Sequence, residues 1–364
     1  MKKLALITTN IAPYRLRWCE ELSKYFDVTI YHTKDKEIDY NDEFLKHSSN
    51  SCKIVKLNNK NDNGLDPLCF DVIDVIKNNR DSLIIFDGYG PKTNLLGLFY
   101  SKLKGYKTYV NIDGYPTERK KNVLRDTIRK FTIRYLCDYF FCGGENVRNY
   151  LINFGAKKSN ICVHNFSSIS ESEILPKPLT ADEKVKIRKE LGIKTTDNIV
   201  LGVGRFVPLK RFEDLIQAVL NCKTECDLYL LGGKPTKEYL DIVGDNKKIH
   251  FIDFVLPENV YKYYMAANLF VLPSETDVWG LVINEAMSKG LPVISSDSPV
   301  AADNLIKNNG FIYKTYNINE LSKDIELCLL EETNVQMSNN SLKIIRDFTI
   351  EGMVEKQILF LNRL

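Results

Sequence analysis

No run in the 364-residue sequence approaches the ~18 consecutive apolar residues that a membrane-spanning helix needs. Histidine is scarce: it occurs only at 32, 47, 164 and 250, and no HExxH is formed. The nine cysteines are odd in number and include no CxxC pair. Cys137 and Cys142, like Cys222 and Cys226, have no partner cysteines or histidines at zinc spacing. These absences weigh against a dedicated metal site and a disulfide framework, and they suit reduced thiols in a cytosolic protein. Neither a Walker lysine pattern nor GxGxxG is present, since Val207 stands where the third glycine would fall. The second half also lacks a DxD pair at a strand end. The opening "MKKLALITTN" has a basic start and a short apolar run, but no small-residue cleavage site follows. It reads as a strand rather than a signal peptide.

What is present suits a soluble α/β protein. Hydrophobic residues make up 44% of the chain, enough for full cores, and the length favours two domains. The net charge of +3 is unevenly spread. Residues 1–168 carry 27 basic and 19 acidic side chains, and the excess falls within 101–168, with 13 against 5. Residues 169–364 carry 23 against 28. One half therefore suits an anionic partner.

Apolar runs alternate with helical patterns through the first half: "KLALITT", "DVTIYH", "CKIVKL", "SLIIF", "KTYVNI", "DYFFC" and "NICVH". The polar, proline-bearing stretch 167–184 reads as a linker. Alternation resumes with "NIVLGVG", "CDLYLLGG", "KKIHFIDF", "NLFVLP", "LPVISS" and "GFIYK". This pattern predicts two doubly wound, mostly parallel sheets with helices on both faces. Such domains facing one another would form a cleft at the carboxyl ends of their strands, where ligands bind. The expected boundaries are 1–168, 169–345 and a terminal helix, 346–364, packing back on the first domain. The run 338–364 reads as helical throughout.

Two stretches carry chemistry. In "LGVGRFVPLKRFEDLIQAV" (201–219), a strand ends at Gly202 and Gly204, and the following loop brings Arg205 and Lys210 before a helix near Arg211. Glycine lets backbone approach a ligand, and the two cations suit a diphosphate; taken alone, solvated loop cations are the commoner reading. In "SETDVWGLVINEAMSKGLPVIS" (274–295), a strand and loop precede a helix ended by Gly290. The amides of Gly280, Leu281 and Val282 lie at the helix's positive end and suit phosphate. Glu285 would face the same cleft and suits neutral hydroxyls such as a ribose diol; Asp277 suits another polyol. Either acid alone reads as a loop or helix-start residue favoured by the dipole.

Together the stretches resemble the GT-B glycosyltransferases, specifically the retaining family 4 enzymes. "GRFVPLK" matches their GR-x4-K loop at Gly204, Arg205 and Lys210, and "DVWGLVINEAMSKGLPV" matches their E-x7-E motif across 277–293. Asp277 replaces the first glutamate and Trp279 a phenylalanine; Glu275 is a rival at ten-residue spacing. The resemblance implies a sugar-nucleotide donor, with a UDP- or GDP-linked sugar as substrate and neither cofactor nor metal. By this likeness Arg205 and Lys210 grip the diphosphate, Glu285 binds ribose, and Asp277 with nearby amides holds the transferred sugar. Gly232 and Gly233 line the nucleotide pocket, and the base meets backbone around Phe254 and Val255. The first domain takes the acceptor, a saccharide or lipid-linked saccharide, with Asn10, Pro13, Tyr14 and Arg15 as candidates. Asp113 stands where many relatives have a sugar-contacting histidine; a plain turn aspartate is the alternative.

The segment 118–136, "ERKKNVLRDTIRKFTIRYL", interleaves seven cations with Val123, Leu124, Ile128, Phe131 and Leu136. A solvated basic face is the ordinary reading. An anionic membrane surface is the sharper one, placing the protein in the cytoplasm at the inner face of the membrane. Nucleic acid is disfavoured, as no recognition module accompanies the charge. The implied activity is retaining sugar transfer in cell-surface polysaccharide or glycoconjugate synthesis. A GT-B UDP-sugar epimerase and a catalytically degenerate saccharide-binding protein stay open as alternatives.

Overall fold

The computed structural model describes residues 1–34, 48–58, 66–115, 122–193 and 198–364. They form two compact units, one of Met1–Ser168 with Ile350–Leu364 and one of Ile169–Thr349.

The first unit is built on a seven-stranded parallel sheet: β1 (Lys2–Thr8), β2 (Phe26–His32), β3 (Lys53–Lys56), β4 (Leu83–Asp87), β5 (Tyr109–Ile112), β6 (Tyr139–Cys142) and β7 (Ile161–Val163). Its strand order is β3-β2-β1-β4-β5-β6-β7. In register, Leu4 faces Val28 on one side and Leu83 on the other. The order reverses between β1 and β4, so the connections leave these neighbours in opposite directions and open a crevice at their carboxyl ends. Leu4, Leu6, Ile30, Phe86, Val110 and Phe140 form the middle of its core.

The second unit has a six-stranded parallel sheet: β8 (Asn198–Val203), β9 (Cys226–Leu231), β10 (Ile249–Ile252), β11 (Leu269–Leu272), β12 (Val293–Ser296) and β13 (Gly310–Tyr313). The order β10-β9-β8-β11-β12-β13 puts the reversal between β8 and β11. Val200, Leu228, Leu230, Leu269, Val271 and Ile294 pack there against Phe212, Leu215, Leu321 and Ile325 of two helices. All thirteen apolar runs form strands; central ones such as β9 and β11 are buried along their whole length and so carry no polar alternation, whereas β2 alternates.

The terminal helical pattern divides differently from the expectation. Instead of one run over 338–364, there are two helices, Glu331–Ile345 and Ile350–Leu361, broken by a turn in which Phe348 N donates to Ile345 O at 2.9 Å. The second unit extends to Thr349, and Ile350–Leu361 packs in the first unit against the helix Pro13–Leu22 and β7. The linker stretch also holds more structure than its composition suggested. Thr180 caps the helix Ala181–Glu190 through a reciprocal pair with Glu183. Among the described residues, no helix is long and apolar enough to cross a membrane. All nine cysteines are free thiols.

Candidate active site

The two chemistry-bearing stretches meet at the switch point of the second sheet. Val203 ends β8, and Gly204 follows at φ +155°, its amide donating to Leu231 O at 2.9 Å. A Cβ at Gly232 would lie 1.7 Å from Gly204 O, so glycine there is required by the approach of two backbones. The loop tightens into a 3₁₀ turn, Pro208–Lys210, and Arg211 takes a left-handed conformation at φ 52° before the helix Phe212–Asn221. Arg211 is committed to structure. It pairs with Glu213 and Asp214 at 2.6 Å each and lies over the Tyr316 ring at 4.7 Å. Arg205 is exposed, whereas Lys210 Nζ pairs with Asp277 Oδ2 at 2.6 Å.

Asp277 comes from the loop after β11. That loop is tied down by Glu275 N donating to Leu209 O (2.8 Å) and by Ser296 Oγ donating to Ser274 O (2.5 Å). Trp279 is buried, and its Nε1 donates to Asn284 Oδ1 at 3.0 Å. This fixes the turn at Gly280, which takes φ +100° to start the helix Leu281–Ser288. Gly280, Leu281 and Val282 thus sit at the end of the helix where amides lack intrahelical partners.

Glu285 lies half-buried one turn further on, its Oε2 accepting from Tyr264 Oη at 2.9 Å. Tyr264 is fully buried on the helix Pro257–Ala266, and its ring packs on Phe270 at 5.7 Å. Burial, then the Glu285 carboxylate, pushes its phenol far above the ordinary tyrosine range, so Tyr264 stays a donor. Tyr264 gave no signal in the sequence, because an aromatic in an amphipathic helix reads as core. Phe254 and Val255 follow β10, at the outer strand of the same carboxyl edge; Phe254 is exposed and its amide donates to Asp253 Oδ1 at 2.7 Å.

The switch point of the first sheet holds a second cluster. Asn10, Pro13 and Tyr14 lie in the segment after β1, and Pro13 opens the helix Pro13–Leu22. Tyr14 meets Phe166 edge-on at 5.6 Å. Arg15 points inward. Its side chain is 5% exposed, and Nη2 pairs with Asp87 Oδ1 at 2.9 Å and with Asp113 Oδ2. Asn111 Nδ2 donates to Asp87 Oδ1 (3.1 Å) and Asp113 Oδ1 (2.9 Å), and Thr8 Oγ1 to Asp87 Oδ2 (2.8 Å). Burial works against the Arg15 charge, and the Asp113 and Asp87 carboxylates outweigh it, so its pKa lies above the ordinary value. Burial raises the Asp113 carboxyl against the pull of Arg15. Asp87 and Asn111 were not singled out in the sequence; they sit at the carboxyl ends of β4 and β5, and Asp87 is far in sequence from Thr8, Arg15 and Asn111.

The basic segment is described only from Asn122 onward; residues 118–121 lie outside the described residues. Asn122 Oδ1 caps the helix Val123–Phe131 by accepting from Arg125 N at 3.1 Å. The helix buries none of its residues: Leu124 is 72% exposed, Ile128 52% and Phe131 53%. Its apolar stripe faces out together with Arg125, Lys130 and Arg134. Arg129 turns inward at 14% exposure and pairs with Asp126 at 3.2 Å.

Comparison with known proteins bears on this geometry. Residues 183–344, nearly the whole second unit, match the family described as glycosyl transferases group 1. This stretch resembles a group 1 glycosyltransferase domain. A curated relative of the chain is N-acetyl-alpha-D-glucosaminyl L-malate synthase from Bacillus anthracis, 30% identical over 198 residues, which are 48% of this chain and 51% of the relative. The match thus spans about half the length of that relative. Among solved structures, sucrose-phosphate synthase from Thermosynechococcus elongatus superposes with a TM-score of 0.76 at 18% identity, over 100% of this chain and 98% of that one. The Anabaena protein HepE in complex with UDP gives 0.76 at 16% identity over 100% of both chains. At these identities the likeness establishes the fold. Both parallel-sheet units share the GT-B fold, and the stretch that matches group 1 carries Lys210, Asp277 and Glu285.

Proposed function

We propose that the protein is a retaining glycosyltransferase, moving a sugar from a UDP- or GDP-linked donor to a saccharide acceptor carried on lipid, in cell-surface polysaccharide or glycoconjugate synthesis. The observation that carries this reading is the convergence at the β8/β11 switch point. There the GR-x4-K loop, the Gly280-started helix and two carboxylates stand together, in a chain whose second unit matches group 1. HepE, with the same fold, was solved with UDP bound, which favours a nucleotide ligand.

In this mechanism Arg205 and Lys210 neutralise the diphosphate and stabilise it as it departs, the largest electrostatic demand of the reaction. The helix-start amides add partial positive charge. Glu285, oriented by Tyr264, accepts hydrogen bonds from ribose, and Asp277 accepts from hydroxyls of the transferred sugar. The bond from the anomeric carbon to phosphate breaks while the bond to the acceptor oxygen forms on the same face. The acceptor's proton passes to a leaving phosphate oxygen, so no separate protein base is needed. Cations of the chain take the place a metal would fill, and we propose metal-independent turnover. In the first unit Asp113, locked by Arg15 and Asn111, presents a carboxylate to sugar hydroxyls; Arg15 orients it and does not itself touch substrate.

The outward apolar stripe of Val123–Phe131, flanked by Arg125, Lys130 and Arg134, supports peripheral attachment to an anionic membrane surface. A helix in water ordinarily buries its apolar side; here that side faces solvent, as an interfacial helix requires. Incubation with UDP- and GDP-sugars, with and without a bacterial lipid-linked saccharide extract, tests the proposal. Acceptor-stimulated release of nucleoside diphosphate, with sugar incorporated, is expected. Conversion of the donor without acceptor into an isomeric sugar nucleotide would indicate an epimerase, and binding without turnover a saccharide-binding protein.

A further inference from the structure

Lys210 and Asp277 were each assigned a separate ligand group, yet the structure pairs them directly, Nζ to Oδ2 at 2.6 Å. The pair is held from both sides. Glu275 N donates to Leu209 O at 2.8 Å, joining the two loops one and two residues away. Lys210 N donates to Val207 O at 2.9 Å, and the lysine stem runs beside Gly204, where a Cβ would lie 3.5 Å from Cε, an ordinary contact distance. Each side chain is about one-fifth exposed, at 19% and 20%, so the pair faces the edge where ligand arrives without being fully solvated.

An ammonium has three donors, so Lys210 can keep Asp277 and still contact phosphate. Asp277 then lies within one ammonium's width of any phosphate that Lys210 holds. How much that matters depends on which nucleotide is bound. In a sugar nucleotide, the outer phosphate is esterified and the sugar offers hydroxyl donors to the carboxylate. In the spent nucleoside diphosphate the ester is gone, the terminal phosphate has gained an ionisable oxygen, and no hydroxyl shields it from Asp277. Like charges at such separations repel strongly in a partly desolvated site.

From this, and resting on the reading of the second unit as a nucleotide-sugar site, we infer that Asp277 is a specificity-determining residue that disfavours the spent nucleoside diphosphate relative to the donor. It holds Lys210 in place for the donor and repels the product once the sugar has left. The chemical class discriminated is a diphosphate monoester, with its terminal phosphoryl unesterified, against a diphosphate diester.

Calorimetric titration of the full chain with UDP and with GDP tests this, using wild type, Asp277→Asn and Asp277→Glu, each confirmed folded by its melting curve. Asp277→Asn is expected to tighten the nucleoside diphosphate that wild type binds by about tenfold at low salt, a gain that shrinks as salt rises. Asp277→Glu, which keeps the charge, is expected to stay within about threefold of wild type. Affinity for UDP-glucose or GDP-mannose, whichever wild type binds, is expected not to rise in Asp277→Asn. An unchanged or weaker nucleoside diphosphate affinity in folded Asp277→Asn overturns the inference while leaving the nucleotide reading standing. Absence of UDP and GDP binding in wild type overturns both.

Discussion

Tyr264 makes the sharpest test of how the site is built, because it reaches ligand only through Glu285. Its Oη donates to Glu285 Oε2 at 2.9 Å from a fully buried position. Tyr264→Phe deletes one hydrogen bond to a charged group and keeps the ring that packs on Phe270. Such a bond is worth about 1.5–3 kcal/mol, most of which appears as lost stability. With that restraint gone, the Glu285 side chain regains part of its rotamer freedom, up to about 1.5 kcal/mol, which binding must then remove again. Nucleoside diphosphate affinity should therefore fall about tenfold in Tyr264→Phe. Glu285→Ala should cost more, roughly 10- to 150-fold, and should also lower the melting temperature by leaving a buried hydroxyl without its partner. In the double variant the binding loss should equal that of Glu285→Ala alone, and part of the melting temperature should return. Calorimetry beside thermal denaturation reads both quantities. If Tyr264→Phe weakens binding as much in the Glu285→Ala background as in wild type, Tyr264 does not act through Glu285 and the reasoning fails.

Three further outcomes are expected. Replacing Arg125, Lys130 and Arg134 together by Gln should weaken co-sedimentation with anionic liposomes by about 3 kcal/mol, on the order of 100-fold, at about 1 kcal/mol per cation; undiminished sedimentation would leave a solvated face. His164 is fully buried beside Gln357, and burial, then Arg15 and Lys356, lower its pKa to about 3. The folded value lies below the unfolded one near 6.5, so this contribution to stability is present above pH 6.5 and lost as pH falls towards 3, about 2 kcal/mol of it between pH 7 and 5. Urea unfolding followed through Trp18 in a Trp279→Phe background should show that loss, and His164→Asn should flatten it. Excess EDTA should leave sugar transfer unchanged; loss restored by manganese or magnesium would contradict the assignment of phosphate charge to Arg205 and Lys210.

The strands were legible because parallel strands buried on both faces leave uninterrupted apolar runs such as "LIIF" and "LFVL". The second unit's site was legible for a related reason: Gly204 to Lys210 and Asp277 to Glu285 each lie within one connection, so their spacing survives in the sequence. The first unit's cluster has no such locality. Arg15, Asp87 and Asp113 are brought together only by the neighbouring of β1, β4 and β5, and a sequence scan sees three scattered charges. Arg15 was singled out as an acceptor-binding candidate, and nothing in the sequence showed that it counters two carboxylates inside the sheet's crevice. The basic helix was legible in composition but not in orientation, since periodicity alone does not say that Arg129 faces in and Leu124 out. The break between Ile345 and Ile350 was hidden because both flanking segments share helical spacing, although the chain passes from one unit to the other there.

The account stands on one claim, that the second unit holds a nucleoside diphosphate through Arg205, Lys210 and Glu285. Equilibrium titration of the protein with UDP, GDP and ADP, repeated with Lys210→Met, tests it most directly. The account predicts saturable binding of UDP or GDP in preference to ADP, weakened at least tenfold in folded Lys210→Met. Binding of none of the three, or binding that Lys210→Met leaves unchanged, would contradict it.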